Sequence, residues 1–156
     1  MKLKGNLDTE TIGRLPLREP VVVEKSTPLG AAVCAMRTRS LGCAVIVDTD
    51  RKPLGFFTER SLLDALMQDA PLETSQVGDF HDAGYVEFQQ DEPIRAVWDS
   101  VEQEGSRFIC VVDEAGRLVG LTGQRGLAEY VSEHFPRQVM AQRLGNKPWL
   151  EHREGS

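Results

Sequence analysis

No apolar run in these 156 residues approaches the roughly 18 needed to span a bilayer, so no membrane segment is expected. Met1-Lys2-Leu3-Lys4 is followed by polar residues, not by the apolar core of a secretory signal, and the cytoplasm is the expected location. Clusters of Lys and Arg are also lacking. The net charge is −6, which argues against a partner recognised through a phosphate backbone, so no nucleic acid is expected. Cysteine is sparse, with three residues and no C-x-x-C pair. Cys43 and Cys110 sit in apolar runs and Cys34 among small helical residues, a pattern of free thiols in a reducing compartment. His81, His134 and His152 are scattered, so no metal site is expected.

Signatures of catalysis are missing as well. No Gly-Lys-Ser/Thr follows Gly55 or Gly120, which excludes a Walker-type loop. No nucleophile elbow links Ser, His and Asp. The carboxylate pairs Asp48/Asp50 and Glu102/Glu104 fall on a turn and a helix end, where a solvated face explains them. The chain is not expected to be an enzyme.

What is present is repetition. Val47-Asp48 returns as Val112-Asp113, Leu54-Gly55 as Val119-Gly120, Arg60 as Arg125 and Leu62 as Leu127, always 65 positions on. One offset that keeps Gly, Asp and Arg together with the apolar pattern marks an internal duplication. Each copy reads strand, helix, strand, turn, strand, helix. In the first, Val21 to Val23 is a short strand and Ser26-Thr27-Pro28 a hydroxyl cap with Pro in the first turn. Leu29, Ala32, Val33 and Met36 then form one helical stripe. Cys43 to Val47 and Pro53 to Phe57 are strands, and Thr58 caps a helix to about Gln68 whose apolar face is Leu62, Leu63, Leu66 and Met67.

The second copy repeats this from Tyr85. It has a strand over Tyr85 to Phe88, an Asp91-Glu92-Pro93 helix start and a stripe of Ile94, Val97, Trp98 and Val101. Strands follow over Phe108 to Val112 and Leu118 to Thr122, then a helix from Gln124 to His134 with Leu127, Ala128 and Val131 inward. Outside the copies, Thr9 to Leu15 suggests a short helix capped by Thr9 and ended by Pro16, and Val139, Met140 and Leu144 suggest another, with Trp149 docking beyond it. The expected division is a leading segment 1–19, repeat one 20–70, a linker 71–84, repeat two 85–135 and an extension 136–156. The fold class is α+β (mixed α/β), two β-α-β-β-α repeats packed sheet against sheet with pseudo-twofold symmetry and two equivalent clefts.

The pieces STPLGAAVCAM, AVIVDTDRKPLGFF and TERSLLDAL, with their counterparts DEPIRAVWDSV, RFICVVDEAGRLVGLT and GQRGLAEYV, resemble a freestanding tandem CBS-domain pair, or Bateman module, over about residues 12–135. The resemblance implies a non-catalytic regulatory module. It requires no cofactor and binds an adenosine compound such as AMP, ADP, ATP or S-adenosylmethionine between the copies. The family signature is Gly, apolar, any, Thr/Ser, two of any type, then Asp/Asn. Gly55 to Ser61 keeps Thr58 but has Ser61 where Asp is expected, and Gly120 to Gly126 has glycine at both polar positions. The candidate ligand residues are therefore Thr58, Arg60 and Ser61, with Val21, Val23, Cys43 and Ala44 as an apolar pocket that the core would equally need. Arg125, Arg107 and Phe108 are the second-cleft candidates. Arg60, Arg107 and Arg125 read either as phosphate contacts or as surface ion pairs.

Two functions remain open at this point: a sensor of an adenosine-type ligand, or a degenerate pair without ligand that serves as a dimerisation or protein-docking unit. Both imply a homodimer, covering Leu62, Leu66, Leu127 and Val131, and an effector protein that the sequence does not name.

Overall fold

The structure, a computed structural model, describes residues 2–82 and 84–136. Helix α1 (Lys2–Thr9) and a 3-10 turn (Ile12–Arg14) lead into the first copy. That copy comprises β1 (Val22–Val23), α2 (Leu29–Arg39), β2 (Cys43–Val47), β3 (Pro53–Thr58) and α3 (Glu59–Met67). A second 3-10 turn (Val77–Asp79) precedes β4 (Glu87–Gln89), α4 (Ile94–Glu104), β5 (Ile109–Val112), β6 (Leu118–Thr122) and α5 (Gln124–His134). The mixed α/β architecture and the two copies are as the sequence implied.

Each copy is a three-stranded sheet with its short strand parallel to the middle strand and the third strand antiparallel. The registers repeat at the sequence offset: Val22 faces Val45 and Glu87 faces Cys110, while Val47 faces Pro53 and Val112 faces Leu118. Even the irregularities recur, with bulges at Ile46/Val47 and Val111/Val112. The left-handed backbone positions recur too, at Ser40 and Gly105 and at Arg51 and Gly116.

Strand alternation divides the core into three. Ala44 and Ile46 of β2 face α2 and α3, packing with Leu29, Ala32, Met36, Phe57 and Ala65. Ile109 and Val111 of β5 face the second helix pair, with Ile94, Val97, Leu127 and Tyr130. Cys43, Val45 and Val47 meet Cys110, Leu118 and Leu121 between the sheets. Both faces of β2 and β5 are thus covered, the reason these strands read as unbroken apolar runs.

Several local expectations are corrected. The leading helix lies over Lys2–Thr9, so Thr9 ends it, and the stretch after it makes only the 3-10 turn. Leu7, Ile12 and Leu15 are buried against the second copy, and Arg95 on α4 donates to Asp8 at 2.8 Å. Neither α2 nor α4 has a side-chain cap. Pro28 and Pro93 occupy the cap positions, and the first helical N–H is taken by a backbone carbonyl distant in sequence: Leu29 N–H by Ser75 at 2.9 Å, Ile94 N–H by Glu10 at 3.0 Å. Thr27 Oγ1 instead accepts from Glu24 N–H. On α3 the buried residues are Ser61 and Ala65, whereas Leu63, Leu66 and Met67 are exposed, so the expected apolar face points largely outward. On α5, Ala128 faces solvent and Tyr130 is buried in its place, with Leu127 also in the core. The short strand of the second copy is Glu87–Gln89, beginning two residues after Tyr85. The helix expected around Val139, Met140 and Leu144, and Trp149, lie outside the described residues.

Candidate functional site

Two clefts open where the end of one copy's third strand meets the other copy's short strand. Cleft one, about 760 Å³, joins Thr58, Glu59 and Arg60 at the start of α3 to Asp82, Tyr85, Val86 and the Gly105–Phe108 corner. Cleft two, about 570 Å³, joins Thr122 to Gly126 at the start of α5 to Pro16, Arg18 and the Ser40–Gly42 corner. Both volumes lie in the range of small-molecule sites. Arg107 and Phe108 line both clefts.

In cleft one, Thr58 makes a capping box with Ser61. Ser61 N–H donates to Thr58 Oγ1 at 3.2 Å and Thr58 N–H donates to Ser61 Oγ at 3.1 Å. The two hydroxyls lie 3.2 Å apart, and Thr58 Oγ1 also lies 3.4 Å from Asp82 Oδ2. Ser61 is 2% exposed, so its hydroxyl serves the helix start and does not face the cleft. Arg60 is exposed at the cleft and, among the described residues, has no carboxylate in salt-bridge range. Glu59 instead faces Arg107, at 4.0 Å. The Arg107 guanidinium lies 5.1 Å from the Phe108 ring centre, a cation–π geometry. Tyr85, Phe56 and Phe108 form a tilted aromatic wall, with ring centres 5.6 and 6.1 Å apart. The Tyr85 hydroxyl donates to Glu87, and burial followed by that bond drives its pKa upward, so it stays a phenol.

Cleft two has no side-chain cap on α5. Arg125 is paired with Glu129 at 3.4 Å. The glycines there are enforced by close approach. A Cβ on Gly123 would lie 2.5 Å from the Arg107 carbonyl oxygen, and one on Gly126 would lie 2.6 Å from Thr122 Oγ1.

Arg125, Arg107 and Phe108 all line cleft two, and Arg107 and Phe108 also line cleft one with Thr58 and Arg60. Val21, Val23 and Ala44 are buried in the first copy's core and Cys43 between the sheets. They line neither cleft. Burial pushes the Cys43 thiol up to about 12 and raises Cys110 as well, so both stay protonated. The residues that sequence reasoning missed are Arg18, Asp82 and Tyr85. The only sequence signal for them is their place just ahead of each short strand.

The CBS domain family model matches residues 12–68. The osmoprotectant import ATP-binding protein OsmV of Salmonella typhimurium is 24% identical over 124 residues, 79% of this chain but 30% of that protein, so this chain spans less than a third of that relative. Among solved structures, the CBS domain protein PAE2072 from Pyrobaculum aerophilum, complexed with AMP, is 21% identical with a TM-score of 0.66, covering 75% of this chain and 89% of that one. The CBS domain pair of protein MJ0100, in complex with 5′-methylthioadenosine and S-adenosyl-L-methionine, is 18% identical with a TM-score of 0.66, covering 79% and 96%. Residues 12–68 thus match the CBS domain, and the chain repeats that unit 65 residues on in a two-sheet fold shared with solved CBS-domain pairs.

Proposed function

We propose that this chain is a tandem CBS-domain pair serving as a non-catalytic regulatory module that binds an adenosine-type ligand in cleft one and passes the bound state to an effector protein. The observation that carries the reading is the composition of that cleft. A threonine hydroxyl and Arg60, which has no salt-bridge partner among the described residues, stand at a helix start and face an aromatic and aliphatic wall of Tyr85, Val86 and Phe108. The Arg60 guanidinium suits a phosphate, and the wall suits a purine face. Solved relatives complexed with AMP and with S-adenosyl-L-methionine support the ligand class. Calorimetry with AMP, ADP, ATP and S-adenosylmethionine tests it, with binding of one of them expected. Absence of heat for all four at millimolar ligand refutes it.

A second reading is favoured by a separate observation. Leu63, Leu66 and Met67 are exposed together on α3, with Met67 at 84%. Such a stripe supports self-association of the module, with or without a ligand. Light scattering at high micromolar concentration is expected to give a dimer mass. A monomer there, unchanged by Met67→Glu, removes this reading.

A further inference from the structure

The linker between the copies brings a carboxylate to cleft one that no part of the helix-start motif supplies. Asp82 is tied to the edge of β3: its N–H donates to the Phe56 carbonyl at 2.7 Å, in an isolated antiparallel bridge. His81 secures the same turn through Nδ1 and the Gly78 carbonyl, 3.0 Å apart. The Asp82 side chain is held at both ends. Oδ1 accepts from Gly84 N–H at 3.0 Å, and Oδ2 lies 3.4 Å from Thr58 Oγ1. No lysine or arginine among the described residues pairs with it.

A carboxylate has about four lone-pair positions. Gly84 and Thr58 engage one on each oxygen, so each oxygen keeps one acceptor position. Two parallel acceptors from one fixed carboxylate match the two donors of a vicinal diol. The helix itself offers no competitor, because the Ser61 hydroxyl is buried in the capping box.

The second copy shows the position to be individual. There Leu121, the counterpart of Phe56, is bridged by Arg18 from the segment ahead of β1, and Arg18 lines cleft two. The same place thus holds a carboxylate in one cleft and a guanidinium in the other. From this geometry we infer that Asp82 is the acceptor for the two ribose hydroxyls of the ligand in cleft one, and that the linker, not the helix-start motif, makes this cleft selective for a nucleoside with an intact diol. The inference rests on the ligand reading above.

Calorimetry with AMP and with 2′,3′-dideoxyadenosine monophosphate tests it, on the wild type, Asp82→Asn and Arg18→Gln. Asparagine retains the oxygen that accepts from Gly84 N–H, so the turn survives, and an unchanged melting temperature verifies this. The wild type should bind AMP more tightly than the dideoxy compound. Asp82→Asn should lose about tenfold or more in AMP affinity, because hydrogen bonds to a charged acceptor are replaced by neutral ones, and should leave dideoxy binding unchanged. Arg18→Gln should leave AMP binding as in the wild type. Unchanged AMP affinity in Asp82→Asn, or equal losses for both compounds, overturns the assignment and leaves the ligand reading standing. A wild type that binds no AMP but does bind S-adenosylmethionine moves the measurement to that ligand and its 2′,3′-dideoxy analogue. A wild type that binds no adenosine compound overturns both.

Discussion

Thr58 has two employments in this structure, and replacing it separates them. Its Oγ1 accepts from Ser61 N–H at 3.2 Å and stands beside the Ser61 and Asp82 oxygens at 3.2 and 3.4 Å. Thr58→Ala removes the cap, which typically costs about 1 kcal/mol within a range of about 0.5–2. It also removes one of two partners of a Ser61 hydroxyl that is buried and retains only the residue-58 N–H, adding up to about 1 kcal/mol. The expected loss is about 1–2 kcal/mol. For a chain of this size each kcal/mol shifts the melting temperature by about 2–4 °C, so the alanine variant should melt roughly 2–8 °C lower. Thr58→Ser keeps the oxygen and should stay within about 0.5 kcal/mol of the wild type. Thermal unfolding followed by circular dichroism decides. An alanine variant melting within a degree of the wild type refutes the capping argument. Ligand loss in Thr58→Ala is informative only beside Thr58→Ser, where the helix start is intact.

Three further outcomes are expected. Gly123→Thr, which restores the hydroxyl position of the signature in the second copy, should destabilise the protein and create no site, because the new Cβ meets the Arg107 backbone oxygen at 2.5 Å; a stable variant with new AMP binding contradicts this. Ser40→Gly should raise stability by about 0.5–1 kcal/mol, since Ser40 sits at φ 52 where its counterpart is Gly105; a lowered urea midpoint rejects it. A thiol reagent at neutral pH should modify only Cys34 in the native chain and all three cysteines in denaturant. Because folding raises the Cys43 pKa to about 12, stability should fall as pH rises above the free-thiol value of about 8.5; Cys110 is raised in the same way, so the Cys43→Ala variant should keep a shallower alkaline limb, and a wild-type limb no steeper than the variant's contradicts the Cys43 contribution.

Where burial alternates with strand period, the sequence was readable. Cys43 to Val47 is apolar at every residue and lies in the strand covered on both sides. The α3 helix was readable in position but not in orientation. Its most apolar residues, Leu63, Leu66 and Met67, lie outside, while the small residues Ser61 and Ala65 face the sheet, because close packing against β3 selects for size before hydrophobicity. The caps of α2 and α4 were misread for a related reason. The Ser, Thr and Asp residues ahead of Pro28 and Pro93 suggested side-chain caps, but distant backbone from Ser75 and Glu10 takes the free N–H groups, and no local pattern announces that. Thr58 was legible because its partner is only three residues away.

The cleft was harder to read than the fold for a reason of register. Across β1 to α3 and β4 to α5 the two copies keep one spacing, so one offset finds every scaffold position. The 3-10 turns Ile12–Arg14 and Val77–Asp79 keep it too. Between each turn and its short strand the spacing slips by one. At the scaffold offset Asp82 aligns with Leu17, but the bridges to Phe56 and Leu121 show that its counterpart in space is Arg18. That slip is tolerated because each bridge is isolated, with no neighbouring ladder pair to hold a register. The residues that distinguish the clefts therefore lie in the one part of the repeat where a sequence offset misaligns them. Duplication fixes the sheets and helices because both copies must fill equivalent cores, whereas a cleft-facing residue on a single-bridge segment changes charge from arginine to aspartate with no effect on packing. Divergence of ligand chemistry between the two clefts is accordingly concentrated ahead of the short strands, at Arg18 and at Asp82, more than in the helix starts, where the glycines of the second copy are held by contacts with its own backbone and side chains.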